Sequence, residues 1–510
     1  MNGDGADRLV VSGNDAEPAR RPLPPSRTEA LEAAWREYYA GATEPPARPA
    51  ARGAMRKDLE STLARLIPSD AAVFEAGCAD GSLLAALPNA VRHGIDYLPQ
   101  VIAAARAQHP EITFEVADIT ARDGAGRAGT VEPVSNERLY DAVVCDRLCH
   151  SVLDVQALLL GLKRRLAPDG RIYMTAFNYL WELPTRLAER SGWKRPAPGA
   201  NWLSDADFRN LFDIAGLEVV RFEDRMMLPL DVPVASEGLN KYLVRVPGMQ
   251  ALSLYRVYVL RDRGTPAPTR RASVTVVVPA RNEAGNIQAA IDRTPVMGKS
   301  TELIFVEGNS KDNTWETIQS AMSRYHGPLT LRAFRQSGKG KGDAVRLGFA
   351  HATGDLLMIL DADLTVPPED LPSFYDVMAR GQADYVHGTR LVYPMEPGAM
   401  RFFNKIGNVA FSQLFTYLLQ QPIKDTLCGT KVLWRKDYER IAAGRSYFGD
   451  FDPFGDFDLI FGAARLGLKI AELPVRYRDR SYGETNISRW KHGWLLLRMS
   501  AIAARKIKFV

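Results

Sequence analysis

Apolar residues along this chain fall into short runs separated by stretches with helical period. In the first half the runs are AAVFEA, GID, ITFEV, DAVVC and RIYMTAF; in the second they are SVTVVVPA, TELIFVE and DLLMIL. Runs of four to eight apolar residues bounded by turn signals suit buried strands, and amphipathic stretches between them suit covering helices. The pattern predicts two α/β regions, each a largely parallel sheet flanked by helices. A helical region is expected from Ser26 to about Leu66. Residues 1–27 are rich in Gly, Pro, Ala, Asp and Arg and read as a disordered tail. The stretch RDRGTPAPTRRA, residues 261–272, has no apolar periodicity and reads as a linker. The expected division is therefore a tail (1–27), a first domain (28–260), a linker (261–272) and a second domain (273–510). No sequence repeat relates the halves, and no apolar run approaches the roughly 18 residues of a membrane-spanning helix.

Composition changes this picture little. Hydrophobic residues make up 46% and charged residues 25% of 510, which is ordinary for a globular protein. The formal net charge of +5 is small for this length and gives no reason to expect nucleic acid as a partner. Four cysteines, Cys78, Cys145, Cys149 and Cys428, show no C-x-x-C or zinc spacing, so reduced buried thiols and a cytoplasmic setting are expected. The N-terminal stretch lacks the apolar core of a secretory signal.

Chemistry-bearing residues gather where the predicted strands end. In AAVFEAGCADGSLLAAL, a strand runs into Glu75, then Gly77 and Gly81, then a helix. Glycines there permit a tight turn and close approach of backbone to a ligand. A second strand ends at Asp96, placed to accept from both hydroxyls of a ribose. A third ends near Asp118 and a fourth near Asp146. His150, just beyond, is either a base near the reacting group or a packed helix-start residue. The turn lacks the G-x-G-x-x-G of dinucleotide sites. This order of elements resembles the class I S-adenosylmethionine-dependent methyltransferases. The resemblance implies a Rossmann-like domain that binds S-adenosylmethionine through Glu75, Gly77, Gly81, Asp96 and Asp118. The family usually has a glycine where this chain has Ala79.

In the second half, LLMILDADLTVPPEDL ends an apolar run on two carboxylates, Asp361 and Asp363. The letters fit a phosphatase nucleophile or a metal clamp. A phosphatase motif sits on the first strand of its domain, whereas about 90 residues of α/β pattern precede this one, by the same strand-and-helix reading. Residues at i and i+2 on an extended strand point the same way, and two such carboxylates would share a cation with a bound phosphate. Around them stand PARNE (Pro279, Ala280, Arg281, Asn282, Glu283), Glu307 followed by Ser310, Asp312 and Thr314, GKGKGDA with Lys341, DTLCGTK (Asp425 to Lys431), Asp456 and Asp458, and RSYGETN with Arg480. These motifs, in this order, resemble the family 2 glycosyltransferases of the GT-A fold. Within that family they are most similar to polyprenyl-phosphate sugar transferases of the dolichol-phosphate mannose synthase kind. Gly308 replaces the second acid of the family's D-D-G-S pattern.

The resemblance implies an inverting transfer. A UDP- or GDP-linked sugar would be held by Pro279, Arg281, Glu283, Glu307, Lys341 and Asp361, with Mg²⁺ or Mn²⁺ on Asp361 and Asp363. Asp458 would be the base for a hydroxyl acceptor. With a polyprenyl-phosphate acceptor no base is needed, and Arg480 would hold phosphate. The segment 488–510 carries six Lys or Arg, no acid, and Trp490, Trp494 and Leu497 at helical spacing. Such a basic amphipathic helix suits peripheral contact with the inner face of a membrane. Residues 400–421 are a second strongly apolar helix candidate. The expectation is a fused, bifunctional transferase. The rival is a glycosyltransferase acting on a hydroxyl, with an inactive methyltransferase scaffold.

Overall fold

The computed structural model describes residues 27–40, 49–121, 138–229, 236, 238–264, 271–392, 402–447, 457–476 and 489–509. Residues 1–26 of the expected tail, residues 265–270 of the expected linker, Asp456 and the RSYGETN loop with Arg480 lie outside the described residues.

The first domain opens with two helices, α1 (Arg27–Ala40) and α2 (Pro49–Leu66). There follow β1 (Val73–Ala76), α3 (Ser82–Ala85), β2 (Arg92–Asp96), α4 (Pro99–Gln108), β3 (Thr113–Val116) and β4 (Tyr140–Asp146). Next come α5 (Val155–Arg164), β5 (Leu166–Phe177), α6 (Glu182–Arg190), α7 (Asp205–Ile214), β6 (Leu217–Arg225) and β7 (Tyr255–Asp262). The sheet order is β3-β2-β1-β4-β5-β7-β6. The first five strands pair in parallel, and β7 lies antiparallel between β5 and β6. β1 is buried on both faces, as a central parallel strand must be. Helix starts follow their signals: Asp154 caps α5 by accepting from the Ala157 amide at 2.9 Å, and Ser204 with Asp207 forms a capping box on α7.

The second domain runs β8 (Val274–Ala280), α8 (Ile287–Arg293), β9 (Thr301–Glu307), α9 (Thr314–Arg324), β10 (Thr330–Arg335), α10 (Lys341–His351) and β11 (Leu356–Ile359). It continues through α11 (Leu371–Ala379), β12 (Tyr385–Thr389), α12 (Phe402–Leu419), β13 (Lys431–Trp434), α13 (Arg435–Ala443), α14 (Phe457–Arg465), β14 (Ile470–Pro474) and α15 (Arg489–Ala503). Its sheet order is β10-β9-β8-β11-β13-β12-β14, with β13 antiparallel to both neighbours. The Val-rich β8 is central, and its two faces feed two apolar clusters on opposite sides of the sheet. α12 and α15 pack into one of these clusters through Phe415, Leu418, Met499 and Ala503. Trp494 and Leu497 of α15 face solvent. All four cysteines are free and buried. Among the described residues no helix is long and apolar enough to cross a membrane.

Charge, not apolar surface, marks the seam between the domains. Arg171 of β5 donates to the Gly467 carbonyl at 2.9 Å and pairs with Asp384 at 2.5 Å. Arg261 of β7 pairs with Asp384 at 3.4 Å and donates to the Gln382 carbonyl. Lys469 pairs with Glu218 at 2.7 Å, and Arg221 of β6 donates to the Ala464 carbonyl at 3.1 Å. Burial alone would push the Asp384 carboxyl up; Arg171 and Arg261 overcome this and hold it below the usual carboxylate range.

Asp384→Asn leaves two buried guanidiniums facing a neutral amide. Breaking a buried pair from one side costs on the order of 3–5 kcal/mol, so the variant is expected to melt well below the parent at pH 7. A carboxyl held low contributes stability that is present above its unfolded value and lost as pH falls through its folded one. The gap between the two melting curves should therefore close below about pH 4. Equal melting temperatures at neutral pH would show that this carboxylate does not tie the domains.

Candidate functional site

The carboxyl ends of the parallel strands gather polar residues in both domains. In the first, β1 delivers Glu75, almost wholly buried, and the chain turns through Gly77 at φ +73° and Gly81 at φ +74°. Ala79 also adopts a left-handed conformation, φ +47°. An alanine tolerates this at some cost in strain. The Ala79 amide donates to Asp96 Oδ2 at 3.2 Å, and the Leu98 amide donates to Oδ1 at 3.1 Å. Asp96 thus locks the first turn to the second strand. Asp118 accepts from the Thr120 amide at 2.8 Å and hydroxyl at 2.7 Å through one oxygen.

Glu75 differs from its neighbours. Its Oε2 is buried and has no hydrogen-bond partner among the described residues. Burial first, and then the nearby Asp146, push its carboxyl well above the usual range; Arg56 offsets this only in part. Asp146 itself is held low by Arg147, which forks onto both its oxygens, with Thr175 donating as well. An orphaned buried carboxylate beside two left-handed glycines fits a ligand that brings its own cation. The amino and sulfonium groups of S-adenosylmethionine qualify. α1 lies across this crevice: Tyr39 faces Ser151, Arg147 and Asp96, and Arg36 sits 5.6 Å from the Tyr97 ring centre.

His150 is no base. Its Nε2 accepts from the Phe177 amide at 2.9 Å, so its Nδ1 carries the proton and donates to the Asn201 carbonyl at 2.6 Å. Both nitrogens are engaged in holding the end of β5.

In the second domain the loops after β8 and β9 are laced together. The Asn282 amide donates to Ser310 Oγ at 3.0 Å, the Lys311 amide to Asn282 Oδ1 at 2.8 Å, and the Glu283 amide to Thr314 Oγ1 at 3.0 Å. Asn282 takes φ +56° to allow this. Glu283 is buried and accepts from Asn286, while Glu307 is buried, accepts from the Ser310 amide and lies 3.5 Å from Arg335. Pro279 closes β8, and Arg281 points to solvent. Gly308, at the departure from the related pattern, abuts Arg281 and Gln336, where an acid would have crowded both. Gln336 was not singled out by sequence reasoning. It is buried beside this loop with its Oε1 unpartnered among the described residues, and nothing in the local sequence signals it.

Lys341 opens α10 and pairs with Asp361 at 2.6 Å; the two side chains are 27% and 28% exposed, within reach of a ligand. Burial would raise the Asp361 carboxyl, but Lys341, followed by Lys431 and Arg390, holds it below the usual range. Gly429 closes the back of the pair: a Cβ there would overlap both the carboxylate and the ammonium. Lys431 is wholly buried and donates to the Cys428 carbonyl, and Asp425 is clamped by Arg390 and Asn408.

The two carboxylates are not arranged as an extended strand would place them. β11 stops at Ile359 and residues 361–364 form a turn, with the Leu364 amide donating to the Asp361 carbonyl and Leu364 at φ +52°. Asp363 Oδ1 accepts from the Thr365 amide and hydroxyl at 3.2 and 2.9 Å. Among the described residues no three His, Cys, Asp or Glu side chains gather to hold a metal. Two carboxylates fit a Mg²⁺-like cation that takes its other ligands from phosphate and water. Asp458, at the start of α14, is buried and accepts from Arg445 Nε at 3.1 Å.

Residues 275–441 match the sequence model for glycosyl transferase family 2, and residues 50–221 match that for a methyltransferase domain. The chain is 27% identical to a dolichol-phosphate mannosyltransferase of Pyrococcus furiosus over 226 residues, covering 42% of this chain and 59% of that protein. It thus spans about three-fifths of that relative's length. It is 29% identical to a dolichyl-phosphate hexose transferase of Haloferax volcanii, over 43% of this chain and 89% of the other. A solved S-adenosylmethionine dependent methyltransferase of Mesorhizobium loti superposes with a TM-score of 0.30 at 15% identity, covering 39% of this chain and 96% of its own. The chain carries a methyltransferase domain followed by a family 2 glycosyl transferase domain.

Proposed function

We propose that the second domain transfers a sugar from a nucleotide diphosphate to a polyprenyl phosphate, with inversion, and that the first transfers a methyl group from S-adenosylmethionine. The two-domain division is part of this reading, with the linker starting later than the expected residue 261, because Arg261 and Asp262 pair in β7. The observation that carries it is the Lys341–Asp361 pair at the carboxyl end of β11, about a quarter exposed and backed by Gly429. A lysine at a helix start is a phosphate-binding group. Its pairing with a carboxylate leaves it free to exchange that partner for a diphosphate. A divalent cation bound by Asp361 and Asp363 would supply Lewis-acid stabilisation of the diphosphate leaving group. The laced loops bearing Pro279, Arg281, Glu283 and Glu307 would floor the nucleotide pocket.

The choice of acceptor follows from Asp458. One of its oxygens is already bound to a guanidinium, which favours a positioning role over proton abstraction. A lipid phosphate is anionic and needs no base, and both dolichol-linked relatives carry such an acceptor in their names. Arg480 would hold that phosphate. In the first domain, Glu75 would accept from the cation of S-adenosylmethionine, and Asp96 from its ribose. Its methyl acceptor is unassigned.

Incubation with UDP- and GDP-sugars, Mg²⁺ and a polyprenyl phosphate, read by mass spectrometry of the lipid fraction, tests the transfer. Chelation should abolish product, and Asp361→Asn should lower the rate more than about a hundredfold, beyond the loss typical of residues that only support a ligand. Transfer that persists undiminished under chelation would sink the metal assignment.

Glu75→Gln separates binding from stability. A carboxyl with a raised folded value penalises the fold as pH rises above its unfolded value and favours it below. The amide should therefore raise the melting temperature at pH 8 while weakening S-adenosylmethionine binding, by calorimetry, at least about tenfold. Unchanged affinity would remove Glu75 from the cofactor site.

A further inference from the structure

The stretch that follows β5 has no core of its own. No residue of α6 is buried, and its apolar side is the one turned to water. Leu180, Leu183 and Leu187 share one face at i, i+3 and i+7. They are 56%, 67% and 54% exposed, with Tyr179 beside them and Trp193 81% exposed just past the helix. Exposed apolar patches of this kind mark interaction surfaces.

The patch does not stop at α6. Trp181 Nε1 donates to the Leu252 carbonyl at 3.4 Å and Asn178 to the Ala251 carbonyl at 2.8 Å. This ties α6 to residues 238–252, which expose Leu252, Val246 and Tyr242 in turn. Tyr242 packs on Phe509, centroids 6.0 Å apart, just beyond α15 of the other domain. A continuous line of contacts therefore joins the exposed helix of the first domain to the basic C-terminal helix of the second.

The charges select the occupant. Residues 179–195 hold Arg186, Arg190, Lys194 and Arg195 against Glu182 and Glu189, an excess of two positive charges. Both acids are already paired, Glu182 with Arg186 at 2.5 Å and Glu189 with Lys194 at 2.7 Å. Leucines on one face, a tryptophan at the rim and unbalanced bases are what an interfacial helix presents to anionic headgroups. We propose that α6 and its Trp193 flank dock the methyltransferase domain on an anionic bilayer surface. α6 begins five residues after Phe177, the end of β5, so the docked face borders the methyl-transfer crevice.

Co-sedimentation of the full chain with vesicles tests this, using pure phosphatidylcholine and equal parts phosphatidylcholine and phosphatidylglycerol. The parent should bind the mixed vesicles and not the neutral ones. Leu183→Ser/Leu187→Ser should weaken that binding at least about tenfold, and Arg190→Glu should reduce it as well. Unchanged melting temperature and S-adenosylmethionine affinity would verify that each variant is folded. Trp494→Ser/Leu497→Ser reports separately on the C-terminal helix. Binding lost only in that variant, with the α6 variant binding like the parent, would overturn the α6 proposal while leaving the C-terminal contact standing. No vesicle binding, together with self-association abolished by Leu183→Ser/Leu187→Ser in sedimentation velocity, would overturn it in favour of a second copy of this chain.

Discussion

A carboxylate taken out of water must gain a cation, a set of N–H donors or a proton. This chain meets that demand repeatedly, and nearly always with arginine. Glu223 is held by Arg65 and Arg221, with Arg225 close by. Asp384 is held by Arg171 and Arg261, Asp425 by Arg390, and Asp146 by Arg147. A guanidinium stays charged at every physiological pH and matches a carboxylate with a fixed fork, so these pairs are permanent. They set the seam between domains, the loop at Asp425 and the end of β4.

Glu75, buried, and Asp361, partly exposed, depart from this pattern, and both stand at the carboxyl ends of central strands. Glu75 has an oxygen with no partner and is pushed toward its protonated form. Asp361 is balanced first by a lysine, a compact charge on a flexible stem, at the start of α10. Each is a place where the protein leaves neutralisation unfinished or exchangeable, and perturbed groups of that kind mark functional sites. Asp458 stands between the two groups: Arg445 holds one of its oxygens at 3.1 Å.

Much of this was legible in the chain. The Val-rich run 274–278, the turn at Gly77 and Gly81, and the carboxylates closing each strand followed from apolar periodicity and glycine placement. The geometry of Asp361 and Asp363 did not, because strand period was carried four residues past Ile359 into a turn that Leu364 makes at positive φ. His150 stayed open between a base and a packed residue because a sequence does not display the Phe177 amide and Asn201 carbonyl that occupy it. The seam was invisible for a related reason. Arg171, Arg221 and Arg261 alternate along strands as solvated residues would, and their partners lie 121 to 296 residues away. α6 shows a different limit: the spacing of Leu180, Leu183 and Leu187 suits an amphipathic helix, but period alone does not say which face meets the core.

The seam has a directional consequence. Arg171 lies in the first half of β5, and Arg261 at the far end of antiparallel β7 lies beside it. Across the seam, Gln382 and Asp384 precede β12, while Gly467 and Lys469 precede β14. β12 runs the same way as β11, since both are antiparallel to β13, and β14 is parallel to β12. The charged seam therefore lies at the amino ends of the strands, and both crevices lie at the carboxyl ends. If the two transfers act on one product, that product has to pass between crevices that this seam does not join. A product anchored in a bilayer does this by lateral diffusion, confined to the surface that α6 and the C-terminal helix would share.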